Sequence, residues 1–202
     1  MEVRVLGPLE VSDDGRALAI GGSRLRAVLA VLALQAGRPV SAERLAVALW
    51  GEDAPRGAVK TVQVHVSRLR KALGDSSGAL LATTPAGYRL TLEPEGLDAG
   101  RFERAVAAGR DLLAAGDADR AASLLRAALA EWRGAPLEEF GWAPFAPMEM
   151  RRLEELRLEA VELRVEADLA AGRRAELVPE LQQLTTAHPS RERLHGQLMV
   201  AL

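Results

Sequence analysis

Lys60, Val64, Ser67 and Lys71 recur at steps of three and four residues, with Thr61 and Arg68 beside them, in the run AVKTVQVHVSRLRKAL at residues 58–73. At about 100° per residue they share one face of a helix. The opposite face carries Val59, Val62, Val66, Leu69 and Leu73 and is apolar. His65 lies on one flank of the polar face, Gln63 and Arg70 on the other. No Asp or Glu falls between Asp53 and Asp75, whereas Arg56, Lys60, Arg68, Arg70 and Lys71 do. A helix with one greasy face and one acid-free basic face suits a polyanion. Val64 sharpens this, because an apolar side chain amid polar neighbours gains nothing from water but would gain from a thymine methyl. Arg68 has the fork that pairs with guanine, and Lys60, Thr61, Ser67 and Lys71 suit phosphates or base edges. On charge alone, an ordinary solvated helix face fits equally well.

Other chemistry is poorly supported. There are no cysteines, so disulfides, thiolate metal sites and cysteine nucleophiles are excluded. His65, His188 and His195 form no HxxxH or HExxH pair, and no phosphate-cradling glycine motif occurs. The acids Glu154, Glu155, Glu159, Glu162 and Glu166 alternate with Arg151, Arg152, Arg157 and Arg164, which reads as surface i,i+4 pairing rather than a catalytic dyad. The sequence therefore signals neither an enzyme nor a cofactor. No apolar run reaches the ~18 residues of a membrane helix, and a cytoplasmic location is the default expectation. Residues 1–96 hold 12 basic and 10 acidic residues, and 97–202 hold 14 and 18. That asymmetry is small, so local clustering rather than net charge points to a polyanion.

The elements that must position the basic helix are legible on either side of it. Val3–Leu6, Leu9–Val11 and Ala17–Ile20 read as short antiparallel strands broken by Gly7-Pro8 and Asp13-Asp14-Gly15. Arg24–Gln35 reads as a helix closed by Gly37, and Ser41 caps a second helix over Ala42–Trp50. The basic helix is the third. Asp75–Gly78 reads as a flexible turn, and Leu80–Thr84 with Tyr88–Leu92 as a hairpin in which Thr83, Thr84 and Arg89 can reach phosphate. Tyr88 reads as a packing residue.

The array TVQVHVSRLRKAL followed by TTPAGYRL resembles the OmpR/PhoB-type winged-helix DNA-binding domain over residues 1–92. That resemblance implies base contacts from Val64 and Arg68, and phosphate contacts from Thr61, His65 and Arg70. Thr84 and Ser67 stand where many such domains have arginine, which implies fewer salt-sensitive contacts.

Residues 93–97 read as a linker, and residues 98–202 as helical throughout. Asp98 caps Ala99–Ala115, Asp117 caps Ala118–Trp132, and Met148–Ala171, Arg174–Ala187 and Arg191–Leu202 follow. Leu113-Ala-Ala-Gly116 recurs as Leu169-Ala-Ala-Gly172, a tetratricopeptide-like scheme or two unrelated helical hairpins. Gly134–Pro147 is an irregular insert whose Trp142 and Phe145 either plug the joint between helix pairs or face a partner.

The run FERAVAAGRDLLAAGDADRAASLLRAALAEWRGAPLEEF, with RRLEELRLEAVELRVEADLAAG after it, resembles the bacterial transcriptional activation domain that follows a winged helix in the AfsR/SARP family. The expected fold class is thus an α+β winged helix-turn-helix, then an all-α tetratricopeptide-like domain. The resemblance implies an activator that binds double-stranded DNA at promoter direct repeats and contacts RNA polymerase, including its sigma factor, with a second protomer alongside on the DNA and genes for antibiotic biosynthesis as the expected targets. The chain stops at Met199–Leu202 in mid-pattern, which reads as an excised fragment or a short member. The rival reading is an interaction scaffold with a winged-helix docking module.

Overall fold

The computed structural model describes residues 1–202. Its contacts divide into two compact units, Met1–Arg101 with Trp132–Leu153, and Phe102–Glu131 with Glu154–Leu202.

In the first unit, β1 (Glu2–Arg4), β2 (Glu10–Asp13) and β3 (Arg16–Ala17) form an antiparallel sheet in which Val3 pairs with Val11. Three helices follow: α1 (Ser23–Leu34), α2 (Ala42–Trp50) and α3 (Ala58–Ala72). Ser41 caps α2 as expected, its side chain accepting from the Arg44 amide at 3.2 Å. The apolar faces meet in one core, with Val28, Leu29, Leu45, Val62 and Leu69 wholly buried. Each such side chain contributes about 1.5–3 kcal/mol.

The wing is β4 (Leu81–Thr84) paired with β5 (Gly87–Leu90), Thr83 opposite Tyr88. It is bonded to the segment before α2: Val40 and Tyr88 exchange both backbone hydrogen bonds at 2.8 Å. Gly87 sits so close, at φ +128°, that a Cβ there would lie 2.2 Å from the Val40 carbonyl oxygen. Only glycine fits that approach.

Residues 93–97 are not a free linker. Pro94–Gly96 form a 3₁₀ turn with Gly96 buried, and Leu97 bridges to Val3. The next residue opens α4 (Asp98–Ala114) and is wholly buried. Its carboxylate accepts the Val5 and Leu6 amides at 2.8–3.0 Å. Burial pushes this carboxyl up, against the pull of those amides and of Arg133.

The aromatic insert also belongs to the first unit. Glu139 accepts the Leu9 amide at 2.9 Å and the Arg26 Nε at 2.5 Å, and Arg26 reaches on to the Leu9 carbonyl. Phe140 is fully buried, and the Phe145 amide donates to Ala48 on α2. Phe145 therefore does not plug a joint between helix pairs. Its ring meets Phe140 at 5.9 Å, while Trp142 is half exposed.

The second unit holds most of α4, then α5 (Ala118–Leu129), most of α6 (Ala146–Ala170), α7 (Arg174–Ala187) and α8 (Glu192–Ala201). The helix α5 ends before Trp132, three residues short of its expected length. The repeated Ala-Ala-Gly motifs make the same turn. Gly116 (φ +78°) donates to Leu113 and Asp117 to Leu112; Gly172 (φ +82°) donates to Leu169 and Arg173 to Asp168. That is the paired bonding of a helix closed by a left-handed glycine. Leu125 and Leu181, which follow at matching positions, are both fully buried.

Of the charges of α6, Glu154 keeps a surface pair with Arg157 one turn away, but several others are not the surface i,i+4 pairs that their spacing suggests. Glu162 is only 5 % exposed, and Arg164 and Asp168 are buried too. Asp168 accepts Arg126 of α5, Arg164 of its own helix and Arg173 at the head of α7. Arg164 also forks onto Glu180 of α7, and Glu155, Glu159 and Glu166 pair with Arg191, Arg110 and Arg193. These acids bind helices to one another. Helical spacing places them on a face but does not say what covers it.

Candidate nucleic-acid interface

The helix α3 buries Ala58, Val62, Val66 and Leu69 and presents Lys60, Thr61, Gln63, Val64, Ser67, Arg68 and Lys71 to solvent. Val64 is 45 % exposed among them. Lys60, Arg68 and Lys71 have no acidic partner, and no acid stands in the helix. Lys60, Arg68 and Lys71 thus leave this face of α3 cationic and unneutralised. The first turn of α3 offers Thr61 a bond to the Gly57 carbonyl at 3.3 Å, so that hydroxyl retains its acceptor capacity.

Arg70 points elsewhere. It is half-buried, and its guanidinium donates to the Leu81 carbonyl through Nε (2.9 Å) and Nη2 (2.7 Å) and to the Thr83 hydroxyl at 2.8 Å. It fastens the wing to α3. Thr83 receives that bond at the exposed edge of β4, and the Thr84 hydroxyl closes the hairpin turn by donating to Gly87 at 3.0 Å. Arg89 is exposed on β5. So Arg70, Thr83 and Thr84 have structural partners, while Arg89 is open.

The turn after α3, flexible by its composition, is ordered by Asp75. It is buried, and its carboxylate accepts the Leu81 amide at 2.8 Å. Burial pushes that carboxyl up, but the amides of Leu81, Leu80, Ala79 and Gly78 more than offset it and hold it below its ordinary value. The wing therefore leaves α3 at a fixed angle.

His65 is half-buried on the flank of α3. Both ring nitrogens are shielded and lack a hydrogen-bond partner. Burial, then Arg68, then Arg24 hold its protonation below the ordinary imidazole value. Arg24 stands in the first turn of α1, with its guanidinium 5.9 Å from the centre of the Trp50 ring. Sequence reasoning missed Arg24 because it lies outside the basic run. The remaining histidines are remote from this surface in chemistry: His188 ends α7, and His195 meets the Pro189 carbonyl at 3.1 Å. No helix is long and apolar enough to cross a membrane.

A three-helix core with an exposed cationic third helix and a hairpin wing, followed by paired helices, defines a winged-helix transcriptional regulator. Residues 20–90 match the family model described as "Transcriptional regulatory protein, C terminal", and residues 97–202 match "Bacterial transcriptional activator domain". The regulatory protein DnrI of Streptomyces peucetius is 37 % identical over 210 residues, covering 100 % of this chain and 77 % of DnrI. The transcriptional regulatory protein EmbR of Mycobacterium tuberculosis is 38 % identical over 204 residues, covering 100 % of this chain. A solved structure of EmbR, in complex with a low-affinity phosphopeptide, matches 99 % of this chain with a TM-score of 0.94. The chain spans 53 % of EmbR, about half its length. The chain belongs to the AfsR/SARP family of regulators, with an OmpR/PhoB-type winged helix and a bacterial transcriptional activator domain.

Proposed function

We propose that this chain is a sequence-specific DNA-binding transcriptional activator that recognises promoter direct repeats and recruits RNA polymerase through its sigma factor, acting on genes of secondary metabolism. The exposed face of α3 carries the reading: three cations without acidic partners frame an exposed valine, a pattern matched to a major groove. In this reading Arg68 forks onto a guanine and Val64 meets a thymine methyl. Lys60, Thr61, Ser67 and Lys71 hold phosphates, as does Arg89, while His65, whose ring nitrogens are shielded, packs on the flank, and Arg70 with Thr83 and Thr84 sets the wing beside them. The helical unit presents the partner surface. Direct repeats require head-to-tail protomers rather than a two-fold dimer, with half-sites about 10–10.5 base pairs apart.

Selection of bound sequences from a random duplex pool at physiological salt tests this. The expected product is a pair of repeats one helical turn apart. Recovery of nothing above background, with or without polymerase holoenzyme, overturns it in favour of a protein-docking module.

A further inference from the structure

We infer that a cavity lined by α1, α2 and the segment leading into α6 is a binding site for a small apolar carboxylate. The cavity measures about 220 Å³, and every residue that lines it belongs to the winged unit. Val31, Leu34, Val40, Ala48, Phe145 and Met148 give it an apolar lining. Backbone bonds fix that lining in the free chain. Val40 exchanges two with Tyr88 at 2.8 Å, and the Phe145 amide donates to the Ala48 carbonyl at 3.2 Å. Met148, 77 % exposed at the edge, is the side chain that gains most from being covered. A preformed apolar hollow with a few convergent polar groups is the usual form of a small-ligand site. Drug-sized ligands need roughly 300–1,000 Å³, so this hollow takes a smaller one, of about one ring.

The polar groups at the cavity choose the ligand's charge. Gln35 at the end of α1, Arg44 on α2 and Glu149 on α6 reach it. Glu149 is already engaged, accepting the Arg152 Nε at 2.8 Å. The Arg44 guanidinium has no carboxylate partner, and it stands one turn before Ala48 on the same face of α2. The one uncommitted charge at the cavity is therefore positive. A guanidinium takes a carboxylate through two parallel hydrogen bonds, and the Gln35 carboxamide nitrogen supplies a further donor. Inorganic phosphate would satisfy Arg44 but leave the lining wet, so the acid must carry an apolar body.

NMR titration of the full chain with benzoate, without DNA, tests this. The amide resonances of Val31, Ala48 and Phe145 should shift together and saturate, with a Kd on the order of 1 mM. Benzyl alcohol keeps the ring and lacks the charge, and should bind about tenfold more weakly. Arg44→Gln should lose the same factor for benzoate and nothing for benzyl alcohol. Ala48→Leu, which fills the cavity, should abolish binding of both. Benzoate shifts that are absent, centred elsewhere or unchanged in Arg44→Gln overturn the inference. Should Ala48→Leu fold poorly, Arg44→Gln decides alone, because the Arg44 side chain holds no other part of the fold. The titration contains no duplex, so its failure leaves the DNA reading standing, and failure of the duplex selection leaves this site standing.

Discussion

The helical unit and the exposed face of α3 treat their cations in opposite ways. In the helical unit Arg110, Arg126, Arg164, Arg173, Arg191 and Arg193 each meet a carboxylate on another helix or turn. On α3 of the winged unit, Lys60, Arg68 and Lys71 meet none, although Glu52 and Asp53 stand only a few residues upstream. Paired cations hold a fold together. Unpaired ones on a rigid helix stabilise nothing in the free chain and are available to an external anion. Substitutions in the first set should thus act on stability, and in the second on binding.

The largest effect belongs to Asp168→Ala. It removes one buried carboxylate from three arginines and should cost about 3–5 kcal/mol, read from the denaturant midpoint. Folded protein that survives should bind duplex as the parent does; weakened binding at full stability would blur the comparison. Arg68→Ala is next, losing about 1–3 kcal/mol of discrimination for the selected site with an unchanged unfolding midpoint. Equal affinity of Arg68→Ala and the parent for that site would remove Arg68 from base reading.

Glu139→Gln isolates a clamp inside the winged unit. The hydrogen bond from Arg26 holds the Glu139 carboxyl below its ordinary value of 4.5. A depressed folded-state value contributes stability above the ordinary one, and the contribution is lost as pH falls through the folded value. The parent should exceed Glu139→Gln by about 1.5 kcal/mol at neutral pH, with the gap in melting temperature closing in acid. A gap independent of pH would mean that the charge on Glu139 is immaterial. Smallest is Lys71→Ala, which should weaken selected and random duplexes alike by less than about 1 kcal/mol and reduce the salt slope by about one.

Local signals made much of the winged unit legible. Ser41 opens α2, and the apolar stripe from Val59 to Leu73 marks which face of α3 is buried. The reach of a guanidinium is not in the spacing: Arg70 lies on the same helix as Arg68, but the Leu81 carbonyl is near enough to hold it. The insert was illegible for a different reason. It has no period, and the partner of Glu139 is Arg26, 113 positions away. The interhelical role of Glu162, Arg164 and Asp168 was hidden similarly, since charged residues at helical spacing look solvated until α5, α7 and α8 are placed over them.

The cations left unpaired on α3 are the groups that would meet DNA, and salt dependence measures them directly. On the selected duplex, log affinity should fall linearly with log salt by about 0.9 per phosphate neutralised. Lys71→Ala should lower that slope, and Arg110→Ala, which removes a paired arginine of the helical unit, should leave it unchanged. A salt-insensitive affinity, or an equal response to Arg110→Ala, would contradict the account.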